Sequence, residues 1–184
     1  MENQISKVFK DVTRASIRWA VVMILLGLLA VILPLATGIA LSVIVAWVVV
    51  LSGLAYVVSA VADRNAGAFI WRLLIGLVYI VGGSYLAFHP QIALETLTLL
   101  VAVIFTIEGL LEIVTFFQFR VYAGSVWALF DGVVTLVMAF LILLPWPNSS
   151  SWAVGIILGI NLIITGFAVL IYSLAERKTP ETLS

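Results

Sequence analysis

Six long apolar runs divide the chain, at about residues 17–36, 39–61, 70–88, 91–116, 126–144 and 152–174. Each is close to the ~20 residues a helix needs to cross a bilayer. Bilayers admit only helices or closed barrels, and none of these runs shows the period-two alternation of a barrel strand. The pattern therefore predicts six transmembrane helices. The connections alternate between short (34–38, 88–91, 145–151) and longer (62–69, 117–125), which groups the helices as three successive hairpins.

The hairpins repeat one another. Trp19, Trp71 and Trp127 each open an odd-numbered helix, where interfacial aromatic anchors belong. Pro34, Pro90 and Pro145 mark the tips, and Gly53, Gly109 and Gly166 fall inside the even-numbered helices. Prolines and glycines thus recur at the same near-constant interval along the chain. Proline lacks an N–H and has φ fixed for a first helical turn, so it ends one helix and begins the next. Each repeat crosses twice, so all three enter from the same side as parallel repeats. The expected fold is an all-α membrane protein, with three parallel helical-hairpin repeats around a pseudo-threefold axis. One membrane domain spans 1–184, with repeats at about 15–62, 69–117 and 125–174 and cytoplasmic tails at 1–14 and 175–184.

Composition agrees with this reading. Hydrophobic residues make up 64% and charged residues 10% of 184 positions, far from the ~45–50% and ~25% of soluble domains. Formal net charge is zero with no basic stripe, which removes the electrostatic footing for nucleic acid binding. No cysteine and a single histidine exclude thiolate chemistry and multi-histidine metal sites. Residues 1–18 resemble the n-region of a signal peptide, but cleavage after them would break the first repeat, so the segment is expected to stay.

Orientation follows from the basic residues. Lys7, Lys10, Arg14, Arg18, Arg64, Arg72, Arg120, Arg177 and Lys178 all lie in the tails, the longer connections or the helix ends beside them. The tips hold none. By the positive-inside rule both termini are cytoplasmic.

With GLLAVILP ending at Pro34, GGSYLAFHP ending at Pro90, and glycines in LSGLAYVVSA and IEGLLEIV, the chain resembles the HdeD family of small bacterial inner-membrane proteins over residues 15–174. The third copy departs from the pattern, with Met138 before its proline where Gly27 and Gly83 stand before theirs, and with a longer tip. The resemblance implies a multi-pass inner-membrane protein linked to acid resistance, and defines no site residues.

Candidate chemistry sits on the fourth and fifth helices. Glu108 and Glu112 are one turn apart, and Asp131 enters from the same side. Counted along the helices, Glu112 lies ~6 Å, Asp131 ~7 Å and Glu108 ~12 Å from the cytoplasmic ends. An ionised carboxylate near mid-bilayer costs on the order of 3 kcal/mol, so each is expected to be protonated, paired or beside water. Arg72 and Arg120 are the nearest basic candidates as partners, by snorkelling. Ser52 and Thr165 occupy the Glu108 position in the other repeats, and Ser59, Thr115 and Tyr172 follow two turns later in each copy. These, with Asn161, read as hydrogen-bonding glue between helices or as the lining of a pathway. His89 and Glu95 near the outer face are pH-sensitive candidates, since histidine changes charge near neutral pH.

Gly155 and Gly159 form a GxxxG pattern that, with Gly53, Gly109 and Gly166, is expected to serve helix packing, within the monomer or in a homo-oligomer. Asn148-Ser149-Ser150 matches a glycosylation sequon at a cramped tip and is incidental. No catalytic constellation, phosphate loop or dinucleotide fingerprint is present, so no catalytic residue, cofactor or metal is expected, and the bilayer is the one assured partner. The expected function is a non-enzymatic membrane protein supporting acid or general stress resistance. The alternative is a small proton or solute transporter using the carboxylates.

Overall fold

The computed structural model describes the backbone of residues 2–62, 66–119 and 125–178, and side chains within 15–61, 67–119 and 125–175. The described chain is helical: α1 (Glu2–Ile32), α2 (Pro34–Ala62), α3 (Ala66–Phe88), α4 (Pro90–Phe119), α5 (Ser125–Leu143) and α6 (Ala153–Lys178), with a short 3-10 turn at Asn148–Ser151. All six α-helices are long and apolar enough to cross a membrane.

The first two tips are tighter than the apolar pattern suggests. Only Leu33 separates α1 from α2, and only His89 separates α3 from α4. Proline at the first helical position needs no hydrogen-bond acceptor, so each new helix begins on the proline itself. The Leu33 and His89 N–H groups still donate to the Leu29 and Tyr85 carbonyls, at 2.9 and 3.1 Å. The third tip holds more structure. Ser149 is buried, and its hydroxyl donates 2.7 Å to the Ile142 carbonyl, satisfying an acceptor at the end of α5. Trp146 Nε1 donates 3.3 Å to the Glu95 carbonyl, which ties this tip to α4.

The interior is made of small residues. Buried positions are dominated by alanine, glycine and serine, and the largest fully buried side chains are Thr98, Ser42 and Ser149. Among the described residues most large apolar side chains are exposed, with Leu94 and Ile142 as buried exceptions. A soluble protein is built the other way, because water drives large apolar groups inside. In lipid that drive is missing, and helices associate by close van der Waals contact.

The chain divides into two compact units, Met1–Ala36 with Gly155–Ser184, and Thr37–Val154. Within the second, the tight packing runs across the longer connections. A Cβ on Gly53 of α2 would lie 2.8 Å from the Gly76 carbonyl oxygen of α3, and one on Gly83 would lie 3.1 Å from that of Ala46. Likewise, a Cβ on Gly109 of α4 would meet the Gly132 carbonyl oxygen of α5 at 2.8 Å. The α4–α5 face is far more extensive than the contact between α3 and α4, the pair joined by the His89 tip. In the first unit α1 and α6 meet in the same manner. A Cβ on Gly27 would lie 2.7 Å from the Gly159 oxygen, and one on Gly166 would lie 3.0 Å from that of Ala20. In each pair one helix number rises as its partner's falls, so the packing is antiparallel. The short tips suggest hairpins α1–α2, α3–α4 and α5–α6, but the glycine contacts fall on α2–α3, α4–α5 and α6–α1.

This register also revises the third copy. The position equivalent to Gly83 one repeat later is Ala139, which is buried, whereas Met138 is exposed. The small residue is kept, and the single-position offset lies between Ala139 and Pro145, at the end of α5.

Gly82 supplies an internal control, because a Cβ there would meet nothing within 4 Å. Gly109→Val is expected to lower stability in detergent by ~1–3 kcal/mol, the usual range for overpacking. Gly82→Ala should be neutral or stabilise by up to about 1 kcal/mol, because alanine is the better helix former and the added methyl meets nothing. Thermal or denaturant unfolding of the two variants checks this.

Candidate functional site: the acidic crossing of two helices

The α4–α5 crossing gathers three carboxylates that are separate in sequence. At Gly132 the two backbones come close enough that a Cβ would sit 2.9 Å from the Gly109 oxygen and 3.0 Å from Glu112 Cβ. The stem of Glu112 therefore lies across α5 at Gly132, next to Asp131 in the chain. Glu108 stands one helical turn before Glu112 on α4. Glu108 and Asp131 are exposed on their helices, while Glu112 is half-buried. Glu112 Oε2 is shielded from solvent and has no hydrogen-bond partner.

The same register in α2–α3 is built without charge. Tyr56 stands one repeat before Glu112, and its ring meets Tyr79 edge-on at a centroid distance of 5.7 Å and 77°. On α6 the corresponding residue is Val169. Only the α4–α5 pair places an acid at this level.

The expected basic partners are not both within view. Arg72 is exposed in the second turn of α3. Arg120 lies outside the described residues.

The hydroxyls do something different from the expected glue. Ser52 donates to the Val48 carbonyl, Ser59 to that of Tyr56 and Thr115 to that of Leu111, each at 2.8 Å and each on its own helix. A hydroxyl in an apolar setting satisfies itself locally through the carbonyl three or four residues earlier, which leaves it no donor for a neighbouring helix. Thr165, Asn161 and Tyr172 are exposed on α6.

His89 is the single residue between α3 and α4, and Glu95 lies in the second turn of α4. His89 is exposed, with Nδ1 2.8 Å from the Tyr85 carbonyl and its ring stacked on Tyr85 at 4.3 Å and 27°. It finishes α3 as a cap, and its own carbonyl accepts from Ala93 at 3.0 Å, so it also starts α4. Glu95 is half-buried, and its backbone carbonyl is the one that receives Trp146.

Gly53, Gly109, Gly159 and Gly166 are the contact points between paired helices, and Gly155 lies against the Pro34 backbone. The small residues opposite them, Ala20, Gly27, Gly76 and Gly132, are not singled out as a packing set by the sequence pattern. Their signal is the repeat interval itself, readable only when alanine and glycine are treated as equivalent.

Six apolar helices with small-residue contacts and large side chains turned outward define a multi-pass membrane protein. Residues 19–88, 75–144 and 141–183 match the family described as "Short repeat of unknown function (DUF308)". The chain belongs to this family, that of the HdeD-type proteins, and the successive matches show its internal repetition. It is 27% identical to Protein HdeD of Escherichia coli (strain K12) over 148 residues, which cover 79% of this chain and 78% of that protein. The same figures hold for Protein HdeD of Escherichia coli O157:H7 and of Shigella flexneri. No solved structure matches the chain.

The half-buried carboxyl makes a stability prediction. Glu112→Met keeps a stem of similar length on Gly132 and removes the unpartnered oxygen, so its melting temperature should equal or exceed that of the native protein. Glu112→Ala removes methylene packing and should lose on the order of 1 kcal/mol. Thermal unfolding in detergent at neutral pH distinguishes the two.

Proposed function

We propose that the chain is a bacterial inner-membrane protein without enzymatic activity that supports survival in acid. Family membership across almost the whole chain carries this reading, because the HdeD resemblance implies both the location and the acid link. Charge asymmetry supports an orientation with both termini and the two longer connections in the cytoplasm and the three tips outside. Fusions of a cytoplasm-active reporter to the C-terminus and of an exported reporter to the tip at His89 should both be active. An inactive pair would reverse the orientation.

A second reading rests on the acidic crossing. Acids inside a membrane are expensive, and proton relays use them. Three carboxyl groups at one crossing, one with an unpartnered oxygen, suit a group that takes up and releases a proton as part of a pathway along α4 and α5. The substitution Glu108→Gln keeps shape and removes ionisation, and Glu112→Gln does the same one turn away.

Reconstitution separates the two readings. In liposomes carrying a pH gradient, the pathway reading expects proton flux from the native protein and a loss of at least tenfold in both variants. The first reading expects no flux above empty liposomes, and full acid survival in cells carrying either variant.

A further inference from the structure

We infer that α6 and α1 are the third copy of a single packing unit, an even-numbered helix paired with an odd-numbered one, and that this unit does not depend on its two helices being consecutive in the chain. Gly53 of α2 packs on Gly76 and Ile80 of α3. Gly109 of α4 packs on Gly132 and Leu136 of α5, and each of these three residues stands one full repeat beyond its counterpart. Gly166 of α6 packs on Ala20 and Ile24 of α1, and these two lie one full repeat before Gly76 and Ile80. The contacts agree atom for atom, involving the carbonyl oxygen of the first residue and the backbone nitrogen of the second in all three cases. A second level repeats the pattern, with Gly27 on Gly159 and Gly83 on Ala46, and with Ala139 and Ala102 both buried at the matching register of α4–α5.

The consequence concerns assembly. In the first two units the second helix follows directly across the connection, from Ala62 to Ala66 and from Phe119 to Ser125. In the third, four helices lie in sequence between α1 and its partner α6. The small-residue face of α1 carries no hydrophobic penalty while it waits in lipid, since tails solvate it as well as a leucine would. Helix α6 therefore acts as a closing segment, recognised by α1 through Gly159 and Gly166, two turns apart on one face.

A circular permutant of the full chain tests this. Ser184 is joined to Met1 through a short Gly/Ser linker, and new ends are opened between residues 120 and 124. Beside it, Gly53→Val, Gly109→Val and Gly166→Val are made in the natural order. The expected result is a permutant that inserts and melts within about 4 °C of the native chain, and three valine variants whose melting points fall by similar amounts. If Gly166→Val loses less than half as much as the other two, the third unit does not exist, whether or not the permutant inserts. If the three losses agree but the permutant fails to insert, the claim that the unit does not depend on chain order is overturned.

Discussion

Close approach of antiparallel helix backbones at paired small residues is the contact on which the rest of this structure depends. At Gly27, Gly53, Gly76, Gly83, Gly109, Gly132, Gly159 and Gly166, an added Cβ would come within 3.0 Å of an atom of the facing helix. Such contacts are individually weak, but in lipid they replace the hydrophobic effect as the source of helix association. They also explain the inverted distribution of side chains. With alanine and glycine occupying the contact faces, leucine, isoleucine and phenylalanine are left to face outward.

The same contact organises the polar groups. Helices that meet at Gly109 and Gly132 bring the residues beside those glycines on both helices together, which is why Glu112 reaches over α5 beside Asp131. In α2–α3 this level is filled by Tyr56 against Tyr79, a contact that needs no water and no counter-charge. The acids thus replace a workable uncharged solution found elsewhere in the same chain. A membrane protein keeps such a substitution, at a cost of about 3 kcal/mol for an ionised group, only where something offsets it. This asymmetry sets the α4–α5 pair apart from the other two helix pairs.

Much of this is legible in the sequence, and the exceptions have physical causes. Helix number, the proline tips and the glycines of the even helices can be read directly, because span length and a φ-restricted imino acid leave strong local signatures. Helix pairing cannot. A tip of one residue suggests a hairpin, yet a tight turn only joins two helices in sequence, and side contact depends on which faces carry small residues. Those faces mix alanine with glycine, as at Ala20 and Gly76, so a pattern of glycine alone does not reveal them. The same substitution hides Ala139 behind the more conspicuous Met138. Ser52, Ser59 and Thr115 look like links between helices, because spacing shows which face a hydroxyl occupies and not whether its own backbone has already claimed it. The three acids stand out by their cost in lipid. Their meeting point at Gly132 emerges only with the pairing.

The most direct measurement is cross-linking in native membranes, which the lack of cysteine in this chain makes clean. Leu54 and Leu77, Leu110 and Val133, and Phe167 and Val21 are exposed residues one position beyond the paired small residues of the three helix pairs. Each pair is replaced by cysteines and treated with a reagent spanning about 10 Å, the separation of closely packed helix axes. The pairing described above predicts intramolecular cross-links of similar yield in all three. A Phe167→Cys/Val21→Cys chain that fails to link, or links only between two molecules while the other pairs link within one, would contradict it.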